Sequence, residues 1–243
     1  MARVRVLLVD TETTGLGVED EPVALALLQC DVDDSTGRAI GEVQAYHGLR
    51  QPGVAIQPAA QRIHGLSLEA LRGLDFDHAR VNEWVASADV LVAHNAAFDV
   101  RMLQRLYPNI GLAAWRCTYR QWPWSSAVKG RKLTDAATFC SVDASGAHNA
   151  LGDVRMLWAA LQASTGKTDR AKAYLHRLLA KPPFALEVYL RQEQQRFAKG
   201  RRVTTALSSG GLGGVAWRQA ATLGLAFVLC VAWLASCIYG GAP

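Results

Sequence analysis

The sequence predicts an α/β protein in which helices flank a mixed sheet, followed by a C-terminal helix that crosses a membrane. Three observations lead to this fold class. Apolar runs typical of strands lie near the N-terminus, strand-like and helix-like segments alternate after them, and an uncharged apolar stretch closes the chain. Half of the 243 residues are apolar, which is enough for a sizeable core and excludes disorder throughout.

The strands are predicted from short apolar runs and from the turns that end them. VRVLLVD (4–10) is the first strand, and EPVALALLQCDVD (21–33) is its hairpin neighbour, ended by the turn-like DDSTG. EVQAYHGLRQP (42–52) is a third strand, stopped by proline and glycine, and ADVLVAHN (88–95) is a fully buried fourth. Strands first and mixed units afterwards indicate a mixed sheet.

Five helices are predicted from apolar residues at helical spacing, and Val154, Leu157 and Leu161 share one face of the last of them. The predicted helical segments are SLEALRGL (67–74), HARVNEWVASA (78–88), AFDVRMLQRLY (97–107), KLTDAATFC (132–140) and ALGDVRMLWAALQA (150–163).

Beyond residue 165 the composition changes. Residues 1–165 carry 15 Lys and Arg against 18 Asp and Glu, whereas the remainder carries 11 against 3. We therefore expect a first domain at 1–165, a basic helical segment at 166–207, a Gly/Ser-rich linker at 208–218 and a transmembrane helix at 219–240.

The C-terminal segment is about 20 residues long without a charge, close to the length that a helix needs to span the hydrocarbon core. Basic residues precede it and no charge follows, so the positive-inside rule places a tail-anchored protein on the cytoplasmic face of the membrane. The alternative interpretation is an apolar peptide on a flexible tether that docks on a partner. Five cysteines without a zinc-ligand spacing fit a reducing compartment.

Acidic residues follow the first and fourth predicted strands. Asp10 and Glu12 are two residues apart, so on a strand they point to the same face. Two close carboxylates repel each other unless a cation lies between them, although such a pair also occurs as solvated acids in a surface turn. Asp99 lies in the first turn of the helix after the buried strand, where α/β folds place functional groups. It would also complement the helix dipole there.

A third acidic position, Asp153, lies near the start of the last predicted helix. His148 is placed in the loop ahead of this helix, and Asn149 is the expected N-cap. Taken alone, a loop histidine of this kind is also explained as a solvated side chain.

Together these segments, DTETTG (10–15), HNAAFD (94–99) and HNALGD (148–153), resemble the three motifs of the DEDDh exonuclease family. This family contains the proofreading (epsilon) subunit of bacterial DNA polymerase III, RNase T and oligoribonuclease. The resemblance covers residues 4–161, and HNAAFD is especially similar to the epsilon branch. It implies a ribonuclease H-like fold.

The resemblance implies that Asp10, Glu12, Asp99 and Asp153 hold two divalent cations and that His148 is the general base. A ligand set made only of oxygens favours Mg²⁺ or Mn²⁺ over zinc, and an imidazole is suited to accept a proton near neutral pH.

The same resemblance implies contacts to the terminal nucleotide. We expect backbone and hydroxyl contacts from the loop after the first strand, and a side chain that wedges beside the base. His64 is interpreted either as a nucleotide contact or as a packed structural histidine, and Asn95 either as a contact or as an N-cap. The predicted substrate-binding residues are Thr11, Thr13, Thr14, Gly15, Leu16, His64 and Asn95.

The activity implied is a metal-dependent 3′–5′ exonuclease acting on the 3′ ends of single-stranded nucleic acid, with DNA favoured and a DNA polymerase as a partner. Two alternatives stay open. One is an RNA exonuclease of the RNase T or oligoribonuclease type. The other is a membrane-tethered binding module that keeps the fold but lacks catalysis.

Overall fold

The computed structural model describes residues 2–122, 130–145, 147–164 and 172–191. Its strands are β1 (Arg3–Thr13), β2 (Pro22–Asp33), β3 (Gln44–Leu49), β4 (Val90–Ala93) and β5 (Trp115–Cys117). Its helices are α1 (Pro58–His64), α2 (His78–Ser87), α3 (Ala96–Leu103), α4 (Thr118–Gln121), α5 (Leu133–Phe139), α6 (Ala150–Gln162) and α7 (Tyr174–Leu179), with a 3₁₀ helix at Pro108–Leu112.

The strands form one mixed sheet in the order β3-β2-β1-β4-β5. β1 lies at its centre, antiparallel to β2 and parallel to β4. β3 continues the antiparallel side and β5 the parallel side. Because β1, β4 and β5 run in the same direction, their carboxyl ends meet at one edge of the sheet, which is where open α/β sheets bind ligands.

The two faces of β1 pack against different helices. Val6 and Leu8 point to the face that joins the core with residues of α5, α6 and α7, including Val154 and Leu157. The intervening Leu7 and Val9 are also fully buried and point to the opposite face. The helix that contacts β1 and β5 on that opposite face is α3.

Most of the predicted elements are confirmed, and the differences have local causes. The segment 67–74 forms turns rather than a helix, because Gly73 within it has a left-handed backbone with φ of 74°. Strand β5, helix α1 and the four-residue helix α4 are absent from the sequence predictions. β5 is only three residues long, and α1 buries none of its side chains, so neither leaves a periodic apolar pattern.

The predicted fold class needs a correction, which concerns its transmembrane helix. Within the described ranges no helix is both long and apolar enough to cross a bilayer. The 13 residues of α6 span about 20 Å, against about 30 Å of hydrocarbon. The segments 208–218 and 219–240 lie outside the described residues. The fold class is therefore the mixed sheet with its flanking helices, and the membrane partner inferred from the C-terminal helix is withdrawn with it.

The chain divides into two compact units, Met1–Phe184 and Ala185–Pro243. The first holds the sheet. In the second, residues 186–191 are helical, with an ion pair of 3.6 Å between Glu187 and Arg191. The domain boundaries at residues 165, 207 and 218 stay predictions.

We predict that Leu157→Ala lowers the free energy of unfolding by about 2–5 kcal/mol, because it leaves a cavity between α6 and the sheet, where Leu157 is 1% exposed. Urea unfolding of the full chain measures this. Leu112→Ala is the matched control, since Leu112 is 84% exposed and its loss should change stability by less than about 0.5 kcal/mol. Equal effects of the two substitutions would contradict the packing described for α6.

Candidate active site

Three carboxylates converge between the end of β1 and the first turn of α6. Asp10 and Glu12 continue the row of Val6 and Leu8, so they point to the face that α6 covers. Asp153 lies in the first turn of α6. Each of the three acids offers an oxygen, and these oxygens lie within 4.8 Å of one another.

The residues of β2 that lie opposite Asp10 and Glu12 are small. Asp10 is paired with Ala26 and Glu12 with Ala24, and both alanines are buried. The register of β1 and β2 shifts immediately afterwards, between Glu12 and Thr13. This shift, a bulge or irregularity, interrupts the regular pairing near the end of β1, and bulges are common beside active sites.

Asp99 reaches the same edge of the sheet from the opposite layer. It lies in the first turn of α3, directly after β4, and is 2% exposed. The hydroxyl group of Thr11 donates a hydrogen bond of 3.0 Å to its carboxylate. The charge of Asp99 contributes to raising the pKa values of Asp10 and Glu12, so the structure brings all four predicted acids into one electrostatic cluster.

Burial and mutual repulsion raise the pKa values of this cluster. Burial is the largest cause of the raised pKa of Asp10, followed by repulsion from Asp153, Asp99 and Glu12. Burial and then repulsion from Asp153 and Asp99 raise the pKa of Glu12 to about 8. Burial raises the pKa of Asp99 to about 8, against the opposing hydrogen bond from Thr11. Burial also raises the pKa of Asp153 to about 7, although the hydrogen bond from the backbone N–H of His148 lowers it.

The donor set fits divalent cations. Among the described residues, no lysine or arginine forms an ion pair with any of the four acids. The cluster therefore lacks a compensating positive charge from that part of the chain, while it offers several carboxylate oxygens in a small volume. Hard divalent cations take such oxygen ligands and relieve the repulsion between them.

His148 lies in the loop ahead of α6, as predicted. Its backbone is in the left-handed region, with φ of 70°, and its N–H donates to the Asp153 carboxylate over 3.3 Å. Asn149 caps the helix through its side-chain oxygen, which accepts from the N–H groups of Leu151 and Gly152. The left-handed backbone of His148 thus places its backbone N–H against Asp153, an acid of the cluster.

The three predicted substrate-binding threonines use their hydroxyl groups inside the protein. Thr11 donates to Asp99, Thr13 to the carbonyl group of Gly15 over 2.7 Å, and Thr14 to the carboxylate of Asp20 over 2.7 Å. All three are at most 4% exposed. These hydroxyl groups therefore shape the end of β1 and the loop that follows it.

That loop, residues 14–21, is organised by Asp20. Its carboxylate accepts hydrogen bonds from Thr14, from the N–H of Gly17 over 2.6 Å, and from the side-chain amide of Gln57. A Cβ atom at Gly15 would lie 2.2 Å from the Gln57 amide nitrogen and 2.7 Å from the Asp20 carboxylate, so a larger residue would displace the ends of these two side chains. Leu16, the predicted wedge, is half-buried at the tip of this arrangement.

The two remaining predicted residues differ in their surroundings. The ring of His64 accepts from the N–H of Leu66 over 3.0 Å, so its other nitrogen donates to the carbonyl group of Thr13 over 3.2 Å. Both ring nitrogens of His64 are thus used within the protein, and burial lowers its pKa. Asn95 has φ of 75°, and its side chain does not cap α3.

The sequence predictions missed the side chains that fix the conformation of loop 14–21. Asp20 reads as an ordinary turn acid, yet it pairs with Gln57, 37 positions away. Arg101 follows Asp99 by two positions and donates to the carbonyl groups of Leu16 and Gly17. Such long-range pairs leave no local pattern. The only available signal was a helix that carries arginine directly after the acidic motif.

The chain belongs to the exonuclease family described by the RNase T model, which it matches over residues 7–161. With its relatives, this match places the chain in the DnaQ-like exonuclease family. The acidic cluster agrees with the use of divalent metal by such enzymes.

Two relatives are DNA polymerase III PolC-type proteins of Listeria welshimeri and Listeria monocytogenes, each 32% identical over 107 residues. Those matches cover 42% of this chain and 7% of the polymerase chains. Among solved structures, the fold is similar to E. coli exonuclease I bound to single-stranded DNA in a zinc-containing crystal, with a TM-score of 0.52 and 17% identity. The similarity covers 66% of this chain and 40% of exonuclease I.

We predict that Asp10→Asn raises the melting temperature of the metal-free protein by about 2–4 °C, because it removes one of several mutually repelling carboxylates. It should also reduce the further rise that MnCl₂ produces in the wild type, because a cation ligand is lost. Calorimetry of the full chain in EDTA and in MnCl₂ measures both effects.

Glu69→Gln is the matched control, since it removes the same charge from an exposed residue outside the cluster. A lower melting temperature of Asp10→Asn in EDTA, or an undiminished response to MnCl₂, would contradict the proposed repulsion and cation binding.

Proposed function

We propose that the protein is a metal-dependent exonuclease that removes nucleotides in the 3′–5′ direction from single-stranded ends, with DNA as the preferred substrate. The observation that carries this proposal is the convergence of Asp10, Glu12 and Asp153 within 4.8 Å, with Asp99 in the same electrostatic cluster. The family match supports the reaction class. The match to proteins named DNA polymerases supports DNA over RNA and supports a polymerase as a partner.

Asp10, Glu12, Asp99 and Asp153 would hold a pair of Mg²⁺ or Mn²⁺ ions through their carboxylate oxygens. When bound, such a pair neutralises charge on the phosphate and on the attacking and leaving oxygens during phosphodiester hydrolysis. Cations held by these carboxylates would attract the phosphate groups of a polyanionic substrate, so nucleic-acid binding is expected to depend on metal.

His148 is proposed as the general base. An imidazole nitrogen accepts a proton from the attacking water, whose oxygen forms the new bond to phosphorus while the bond from phosphorus to the 3′ oxygen breaks. The products are a nucleoside 5′-monophosphate and a strand shortened by one residue. The hydrogen bond from the backbone N–H of His148 to Asp153 supports this role, because it holds the residue that carries the base beside the acidic cluster.

Loop 14–21 is proposed to bind the terminal nucleotide. The hydroxyl groups of Thr14 in the loop and of Thr13 just before it are occupied by internal hydrogen bonds, so the contacts would come from the loop backbone and from Leu16. The internal bonds hold the loop in one conformation, which lowers the entropy that substrate binding would otherwise cost.

We predict that Asp153→Asn lowers kcat by about a thousandfold, since it removes a cation ligand, and that His148→Ala lowers kcat by about 10²–10⁴-fold, since it removes the base. Single-turnover digestion of a labelled oligodeoxynucleotide measures both, with Glu69→Gln as the charge-matched control. Undiminished turnover of either variant would refute the assigned roles.

We also predict the direction and the preferred nucleic acid. A single-stranded DNA labelled at its 5′ end should give a ladder of shortened products with MgCl₂. The same strand labelled at its 3′ end should release labelled mononucleotide at once. Digestion should stop in EDTA and should be slower on RNA of the same sequence. A ladder from the 3′-labelled strand would contradict the direction, and faster digestion of RNA would favour the alternative substrate.

A further inference from the structure

Two arginines that follow Asp99 hold the backbone of loop 14–21. The guanidinium group of Arg101 donates to the carbonyl groups of Gly17 over 2.9 Å and Leu16 over 3.1 Å. Arg105, four positions later, donates to the carbonyl group of Val18 over 2.6 Å. Three successive carbonyl groups of the loop are therefore bound by side chains from α3 and from the turn that follows it.

Arg101 is itself held in place on α3. Its guanidinium carbon lies 5.3 Å from the centre of the Phe98 ring, a distance suited to a cation–π contact. Arg101 is half-buried, and the helix that carries it also carries Asp99. The position of Leu16 is therefore tied to the helix that supplies one acid of the cluster.

The other side of the loop is bound by a carboxylate. Asp20 accepts from the N–H of Gly17, while Arg101 binds the carbonyl group of the same residue. The peptide groups at the tip of the loop are thus held from both sides by charged side chains. Hydrogen bonds to charged groups are stronger than those between neutral groups, so these contacts restrict the loop more than ordinary turn bonds would.

We infer that Arg101 is a positioning residue, which presents the Leu16 segment to the terminal nucleotide. This inference rests on the proposed function. It concerns binding rather than the chemical step, because the bonds of Arg101 to Leu16 and Gly17 are made to the loop backbone. A planar fork of donors suits two adjacent carbonyl groups, whereas the single ammonium group of a lysine satisfies them less well.

The test compares Arg101→Met, Arg101→Lys and Leu16→Ala in the full chain, with Arg80→Met as the matched control. Arg80 is an exposed arginine on α2, paired with Asp77 at 3.6 Å. Binding of a short fluorescein-labelled oligothymidylate in CaCl₂ gives Kd, and digestion in MgCl₂ gives KM and kcat. Hydrogen exchange of the amides of residues 15–19 reports the loop without any need for activity.

Arg101→Met should raise Kd and KM by about tenfold and change kcat by less than about twofold, since the loop is loosened while the cluster is intact. Arg101→Lys should recover part of this loss, and Arg80→Met should behave as the wild type. Leu16→Ala combined with Arg101→Met should bind no more weakly than Leu16→Ala alone, because both changes act through the same segment.

Wild-type Kd and KM in Arg101→Met would overturn the inference, and so would a loss confined to kcat. Effects of Arg101→Met and Leu16→Ala on Kd that multiply in the double variant would also overturn it. Faster exchange of the loop amides with unchanged Kd would also overturn it, by reducing Arg101 to a structural role. A wild type that binds the oligothymidylate but digests no 3′ end refutes the proposed exonuclease, while Kd and exchange still decide the role of Arg101.

Discussion

The parallel pairing of β1 with β4 is the constraint on which the site depends. Val6, Leu7 and Leu8 are in register with Val90, Leu91 and Val92, so the two strands end at the same edge of the sheet. Acids lie near this edge in both cases, in the last residues of β1 and in the first turn of α3 after β4. A slip of this register by one residue would turn the side chains of β1 to the wrong face and separate the acids.

Packing of α6 completes the arrangement. Its apolar face packs on the same side of the sheet as Val6 and Leu8, and this contact brings Asp153 to Asp10 and Glu12. The apolar core therefore overcomes an unfavourable electrostatic interaction, because folding brings buried carboxylates together without a positive side chain from the described residues. Such a conflict between packing and charge is typical of functional sites, where local stability is given up for chemistry.

The elements with strong periodicity were predictable from the sequence. The antiparallel hairpin of β1 and β2, the buried β4 and the amphipathic α6 all follow from apolar runs of the right period. The N-cap at Asn149 and the loop position of His148 follow from elementary capping rules. The gathering of the acids at one edge was expected from a family resemblance, and the structure provides its geometry.

The remaining features could not be predicted because they depend on tertiary contacts. The internal use of the hydroxyl groups of Thr11, Thr13 and Thr14 becomes visible only when their acceptors are in place. The binding of loop 14–21 by Arg101 joins residues more than 80 positions apart. The transmembrane helix expected from the composition of the C-terminal segment is not supported, because the described residues contain no helix that is long and apolar enough to cross a bilayer.

The most direct measurement is a crystal structure of the full chain grown with MnCl₂, with anomalous scattering recorded to locate manganese. We expect two anomalous peaks among the carboxylates of Asp10, Glu12, Asp99 and Asp153, with metal–oxygen distances of about 2.1 Å. Carboxylates that point apart, or manganese bound elsewhere with these four side chains unliganded, would contradict the central claim that this fold assembles a metal-dependent hydrolytic site.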